Sequence, residues 1–114
     1  MKYLCLVYQE EKEAPNVPKD MWDQAIRDYK AFEADIKKSG HYVGSHGLQH
    51  TNTATTVRVR HGKLSTTDGP FAETKEQLGG YFLIEARDLN DAIQIAARIP
   101  SAQWGCVEVR PVWE

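Results

Sequence analysis

Tyr3-Leu4-Cys5-Leu6-Val7-Tyr8 is an unbroken apolar run, and the want of a polar face marks a central strand covered on both sides. From Pro18 the period changes. Trp22, Ala25, Ile26, Tyr29, Phe32 and Ile36 recur at intervals of three, four and one residues with charges between them, the stripe of a helix packed on one side. Lys37 and Lys38 suit the negative end of its dipole, and Gly40 suits a left-handed cap. The strand-then-helix order returns later. Gly79-Gly80 opens the strand Tyr81-Phe82-Leu83-Ile84, Asp88 stands as N-cap of a helix with stripe Leu89, Ala92, Ile93 and Ala96, and Pro100 terminates it. Cys106 to Val112 closes the pattern, with Val107 and Val109 on one face and Glu108 and Arg110 on the other.

Between these halves lie more strand-like segments. His41 to Leu48 holds two glycines that let it bend. Ala54 to Arg60 sets Thr55, Val57 and Val59 against Thr56, Arg58 and Arg60. His61-Gly62 then reads as a two-residue turn into Lys63-Leu64-Ser65-Thr66, and Asp68-Gly69-Pro70 ends the hairpin. The whole predicts an α+β fold: ferredoxin-like βαββαβ with an extra β-hairpin, its helices on one face of an antiparallel sheet. The stretch Glu10 to Pro18 is the only linker-like one.

The 114 residues amount to one domain, 1–114. A formal charge of -2 argues against nucleic acid, whose phosphates call for a basic excess. No apolar run approaches the ~20 residues of a membrane span, and the start of the chain shows no cleavage signal. Cys5 and Cys106 lie far apart without metal spacing, so a cytoplasmic protein is expected. Three Trp, five Tyr and three Phe exceed what so small a core needs, which points to a homodimer. Cover for the bare sheet face would then come from a second copy. Arg58, Arg60, Glu108 and Arg110 would line a charged space there, or else sit on an exposed strand face.

Thr67-Asp68-Gly69-Pro70-Phe71-Ala72-Glu73-Thr74-Lys75-Glu76, followed by Leu78-Gly79-Gly80-Tyr81, resembles the signature of the DGPF branch of the YCII-related family. Ala54 to Arg60, Asp88 to Ala92 and Val107 to Val112 agree with it. The resemblance implies a ferredoxin-like domain that dimerises as an α/β barrel. It brings no settled activity: some members act on small aromatic compounds, and others occur with transcription regulators such as sigma factors. It also implies a His on the first helix and an Asp before the last Pro-containing turn as an acid–base dyad. Tyr29 and Ile99 stand at those places, so the dyad does not carry over.

The candidate proton handlers are Asp68, His46 and Glu73. Asp68 can cap its turn through backbone N–H groups, or face a cavity as base or acceptor. Glu73 and Glu76, with Lys75, form a paired-carboxylate cluster or a solvated turn. His46 is the histidine best suited to acid–base work. His46 and His50 are four apart, but the local pattern is not helical and no third ligand follows, so no metal is expected. The candidate ligand contacts are Tyr29, Phe71, Lys75, Arg58 and Arg110. Tyr29 is otherwise a core residue, and either arginine can pair with Glu108 or clamp an anion. Neither cysteine has the setting of a nucleophile. No phosphate loop, and no support for a flavin, nicotinamide or other cofactor, is found. The expectation is a cofactor-free enzyme or binder of a small polar or aromatic compound; the alternative is a non-catalytic interaction module.

Overall fold

Tyr3, Cys5 and Val7 are buried, whereas Leu4, Leu6 and Tyr8 between them are only half-buried. The first strand therefore has one covered face, not the two expected. The reason is visible in the computed structural model, which describes residues 1–114. Strands β1 (Lys2–Gln9), β2 (Tyr42–Gly47), β5 (Gln77–Glu85) and β6 (Cys106–Pro111) form an antiparallel sheet in the order β2-β5-β1-β6. Helices α1 (Lys19–Lys38) and α2 (Leu89–Ala96) lie on one side of it. This order is compatible with the expected ferredoxin-like arrangement. Strands β3 (Thr55–Arg60) and β4 (Lys63–Asp68) pair only with each other, as the extra hairpin.

The core is a single cluster on the helix side. Phe32 and Ile36 of α1 and Ala92, Ile95 and Ala96 of α2 pack on Tyr3, Cys5, Val7, Phe82 and Ile84 of the sheet. Burial pushes the Cys5 thiol up to about 11, so it is inert there. The α2 stripe is rotated from the expected one. Leu89 and Ile93 are about half exposed, while Ile95 and the following Ile99 enter the core. Asp91 determines that rotation, because its buried carboxylate turns inward to a fixed set of donors. Its Oδ2 accepts from the Arg87 backbone N–H at 3.0 Å and lies 3.2 Å from His41 Nε2, and its Oδ1 accepts from Arg87 Nη2 at 3.4 Å. Asp88 caps the helix as expected, accepting from the Asp91 N–H at 2.8 Å.

After a 3-10 turn at Pro100–Gln103 the chain enters β6 through Gly105. A Cβ there would lie 2.0 Å from the Tyr8 carbonyl oxygen, so only glycine lets the two backbones meet. Replacing Gly105 by Ala is expected to break the β1–β6 entry and to lower the midpoint of urea unfolding sharply.

Asp91 supplies a pH test. Hydrogen bonds from the Arg87 backbone and guanidinium, with His41 adding to them, hold its carboxyl down at about 2 from an ordinary 3.8. Because the folded value is lowered, the stabilisation is present above about pH 4 and is lost as pH falls toward 2. Asp91→Asn should melt several degrees below the parent near neutral pH. The gap should close between pH 4 and 2, read by thermal unfolding followed by circular dichroism.

Candidate functional site

The apolar stripe of α1 is only half used by the core. Phe32 and Ile36 in its second half are buried, but Met21, Trp22 and Ile26 in its first half are 59, 42 and 51% exposed. The helix stands away from the sheet at that end, and the strap Glu10 to Val17 crosses beside it. Glu11 fastens the strap: its carboxylate accepts from the Thr51 N–H at 2.8 Å and the Thr51 hydroxyl at 2.7 Å, and its own N–H donates to Gln77 Oε1 at 3.0 Å. Helix, strap and sheet ends enclose a cavity of about 840 Å³, open on one side. That volume suits a drug-sized molecule.

The walls are apolar: Val17, Met21, Trp22 and Ile26 face Val7, Phe82 and Trp104. Tyr29 forms the floor, its ring parallel to Phe82 with centroids 6.3 Å apart. Glu10, Glu13, Glu33 and Lys30 stand around the opening, where Lys75 pairs with Glu10 and Lys37 with Glu33.

One chain of hydrogen bonds organises the floor, and its protons can be assigned. Gln9 Oε1 accepts from Trp104 Nε1 at 3.1 Å and from Ser101 Oγ at 3.0 Å. Indole N–H can only donate, which fixes the orientation of the Gln9 amide. Ser101 must then spend its one proton on Gln9. Tyr29, in contact with Ser101 Oγ, must donate its proton to the serine. Two unspent groups remain. The Tyr29 oxygen offers lone pairs, and Gln9 Nε2 offers two N–H donors that no group in the chain takes up. Burial pushes the Tyr29 phenol up, so it stays protonated.

Among the residues singled out in the sequence, Tyr29 lies in this floor. His46 borders the cavity, but strand alternation sends its side chain to the opposite face, where Nδ1 lies 2.8 Å from Tyr81 Oη. Asp68, Glu73, Phe71, Lys75, Arg58 and Arg110 lie outside it, so within one chain the three proton handlers do not converge. Asp68 ends β4, and its side chain caps nothing. Its turn is instead closed by the Gly69 N–H donating to the Ala54 carbonyl at 2.7 Å and by Thr56 Oγ1 donating to the Gly69 carbonyl at 2.8 Å. Phe71 is 82% exposed, and Lys75 reaches Glu10 at 3.8 Å. Arg110 pairs with Glu108 on the uncovered sheet face, Nε to Oε2 at 2.6 Å, whereas Arg58 sits on the hairpin. The two arginines occupy different elements of the chain. No three His, Cys, Asp or Glu side chains gather as a metal site, and no helix is long and apolar enough to cross a membrane.

The model of the YCII-related domain matches residues 1–114. The chain belongs to the YCII-related family. An uncharacterised protein of Rhizobium meliloti (strain 1021) is 34% identical over 114 residues, covering 98% of this chain and 92% of its own length. In this YCII-related chain the two dyad positions have separate fates: Ile99 is fully buried in the core and Tyr29 faces the cavity. Gln9, Ser101 and Trp104 had no signature in the sequence, since each is an ordinary residue at the end of an element.

Gln9→Leu removes the acceptor that Ser101 needs. With Ser101 only 2% exposed, the loss should cost about 1–3 kcal/mol in urea unfolding. Adding Ser101→Ala should recover part of it, a non-additivity that a double-mutant cycle reads directly.

Proposed function

We propose that this chain binds a small, flat, largely apolar molecule between α1 and the sheet, and that the molecule is neutral with a hydrogen-bond donor beside an acceptor, as in an aromatic carboxamide or lactam. The observation that carries this reading is the proton order of the floor. The ligand's carbonyl would take an N–H from Gln9 Nε2, and its own N–H would reach the Tyr29 oxygen. Its ring would lie between the apolar half of the α1 stripe and Phe82, where the chain leaves large side chains unpacked.

Charge points the same way. No arginine lines the cavity, and Glu10 and Glu33 at its opening are already paired with Lys75 and Lys37, which leaves Lys30 beside Glu13, so this reading departs from an arginine-held carboxylate or phenolate. It also gives Tyr29 the part of an acceptor, since its proton is committed to Ser101. Binding is therefore the proposed activity of this cavity.

Isothermal titration with a naphthamide, its N,N-dimethyl derivative and naphthoate tests the reading. The naphthamide should bind and raise the melting temperature, as any ligand of the native state does. The dimethyl amide lacks the donor and should bind about tenfold more weakly, a difference that Tyr29→Phe abolishes. Naphthoate should be the weakest. Tightest binding by naphthoate, or no binding by any of the three, would contradict the proposal.

A further inference from the structure

Ser39 closes α1, Gly40 follows at φ 81°, and His41 leads into β2. Every backbone N–H of this corner is engaged. Ser39 donates to the Asp35 carbonyl at 3.0 Å, Gly40 to Lys37 at 3.2 Å and His41 to Ile36 at 2.9 Å, the bonding of a helix end built on a left-handed residue. The His41 carbonyl in turn accepts from the Glu85 N–H of β5 at 2.8 Å. Serine and imidazole are therefore set on one fixed corner, beside the first turn of α2.

The corner holds a hydrogen-bonded series that the cavity does not use. Ser39 Oγ lies 2.7 Å from His41 Nδ1, and His41 Nε2 lies 3.2 Å from Asp91 Oδ2. The order of the protons follows. The Asp91 carboxylate, which already takes two N–H groups of Arg87, can only accept, so the imidazole proton sits on Nε2 and leaves Nδ1 with a lone pair. The serine proton has two acceptors in reach, the Ile36 carbonyl at 3.3 Å and Nδ1 at 2.7 Å. The shorter contact, to the more basic atom, takes it. Hydroxyl, imidazole and carboxylate then stand in the order that makes a serine nucleophilic, an order recognised by roles and not by sequence position. Ser39 is exposed, whereas the His41 and Asp91 side chains are 21 and 10% exposed. The nucleophile is open and its base is sheltered.

The surroundings limit the electrophile. With the N–H groups of Ser39, Gly40 and His41 all engaged in the helix end, none of them is free to receive the oxyanion of an adduct. Unactivated esters and amides, which need such a group, are poor donors here, and the acyl compound must bring a good leaving group. The same lack holds back the second half of the reaction, because an acyl-serine is itself an unactivated ester.

We propose that Ser39 is a self-acylating site, which takes the acyl group of a small activated ester, such as an aryl ester, and retains it. Ser39 Oγ bonds to the ester carbonyl carbon as its proton passes to His41 Nδ1. The carbon–aryloxy bond then breaks, and the departing oxygen takes that proton from Nδ1. Asp91 acts through His41, as a positioning residue that holds the ring and steadies its transient charge.

The full chain with p-nitrophenyl acetate tests this. A burst of up to one p-nitrophenol per chain should be followed by little turnover, and peptide mapping should find the acetyl group on Ser39. Ser65 is the internal control, exposed on β4 with the Arg58 carbonyl as partner of its hydroxyl; it should be labelled about a hundredfold more slowly, the measure of a positioned base. Ser39→Ala should remove the burst. His41→Gln keeps an amide N–H for Asp91 and should retain the parent's circular dichroism while slowing acetylation of Ser39 about a hundredfold. Acetyl groups on lysine or histidine with Ser39 free would overturn the proposal, as would equal labelling of Ser39 and Ser65. So would a folded His41→Gln chain acetylated at the parent rate. Should that variant unfold, the ratio of Ser39 to Ser65 labelling in the parent decides.

Discussion

A four-stranded sheet has two faces, and both helices of this chain lie on one of them. Everything else in the structure answers to that constraint. On the helix side, alternation puts Tyr3, Cys5, Val7, Phe82 and Ile84 inward, and α1 and α2 seal them with Phe32, Ile36, Ala92 and Ile95. On the other side, Leu4, Leu6 and Leu83 have no cover within the chain, and the hairpin holds Val57, Val59 and Leu64 exposed.

The helix side is itself sealed only halfway. Packing is tight where α1 presents Phe32 and Ile36 and opens where it presents Met21, Trp22 and Ile26, because the strap Glu10 to Val17 passes there and Glu11 holds it to Thr51 and Gln77. The resulting cavity is apolar on its walls and polar at one place. That place is chemically directional. A single donor-only group, the Trp104 indole, sets Gln9; Gln9 sets Ser101; and Ser101 sets Tyr29. What a ligand meets is therefore decided by a residue that need not touch it.

Much of the fold was legible from local pattern. The strand alternations, the Asp88 cap, the left-handed Gly40 at φ 81° and the His61-Gly62 turn each depend on a few neighbouring residues. The α2 face was misjudged because Asp91, a residue type that reads as solvent-facing, is held inward by His41 from a distant strand entry and by Arg87. The site was legible only at Tyr29. Its partners join residues 92 and 72 positions apart, and glutamine, serine and tryptophan at element ends carry no spacing signal. Conversely, the dense string Thr67 to Glu76 reveals the family, yet its most distinctive side chains face outward. A motif can be specific without lining the cavity of its own chain.

The three tryptophans provide the most direct measurement of the central claim, that the helix side of the sheet is a binding site for a small neutral molecule. Trp22 and Trp104 line the cavity, and Trp113 is 100% exposed near the chain's end. In a titration with a naphthamide followed by nitrogen-15 correlation spectra, the account predicts that the Trp22 and Trp104 indole signals move together along one saturating curve while Trp113 stays fixed. Stationary Trp22 and Trp104 signals, or a Trp113 signal that moves as far as theirs, would contradict it.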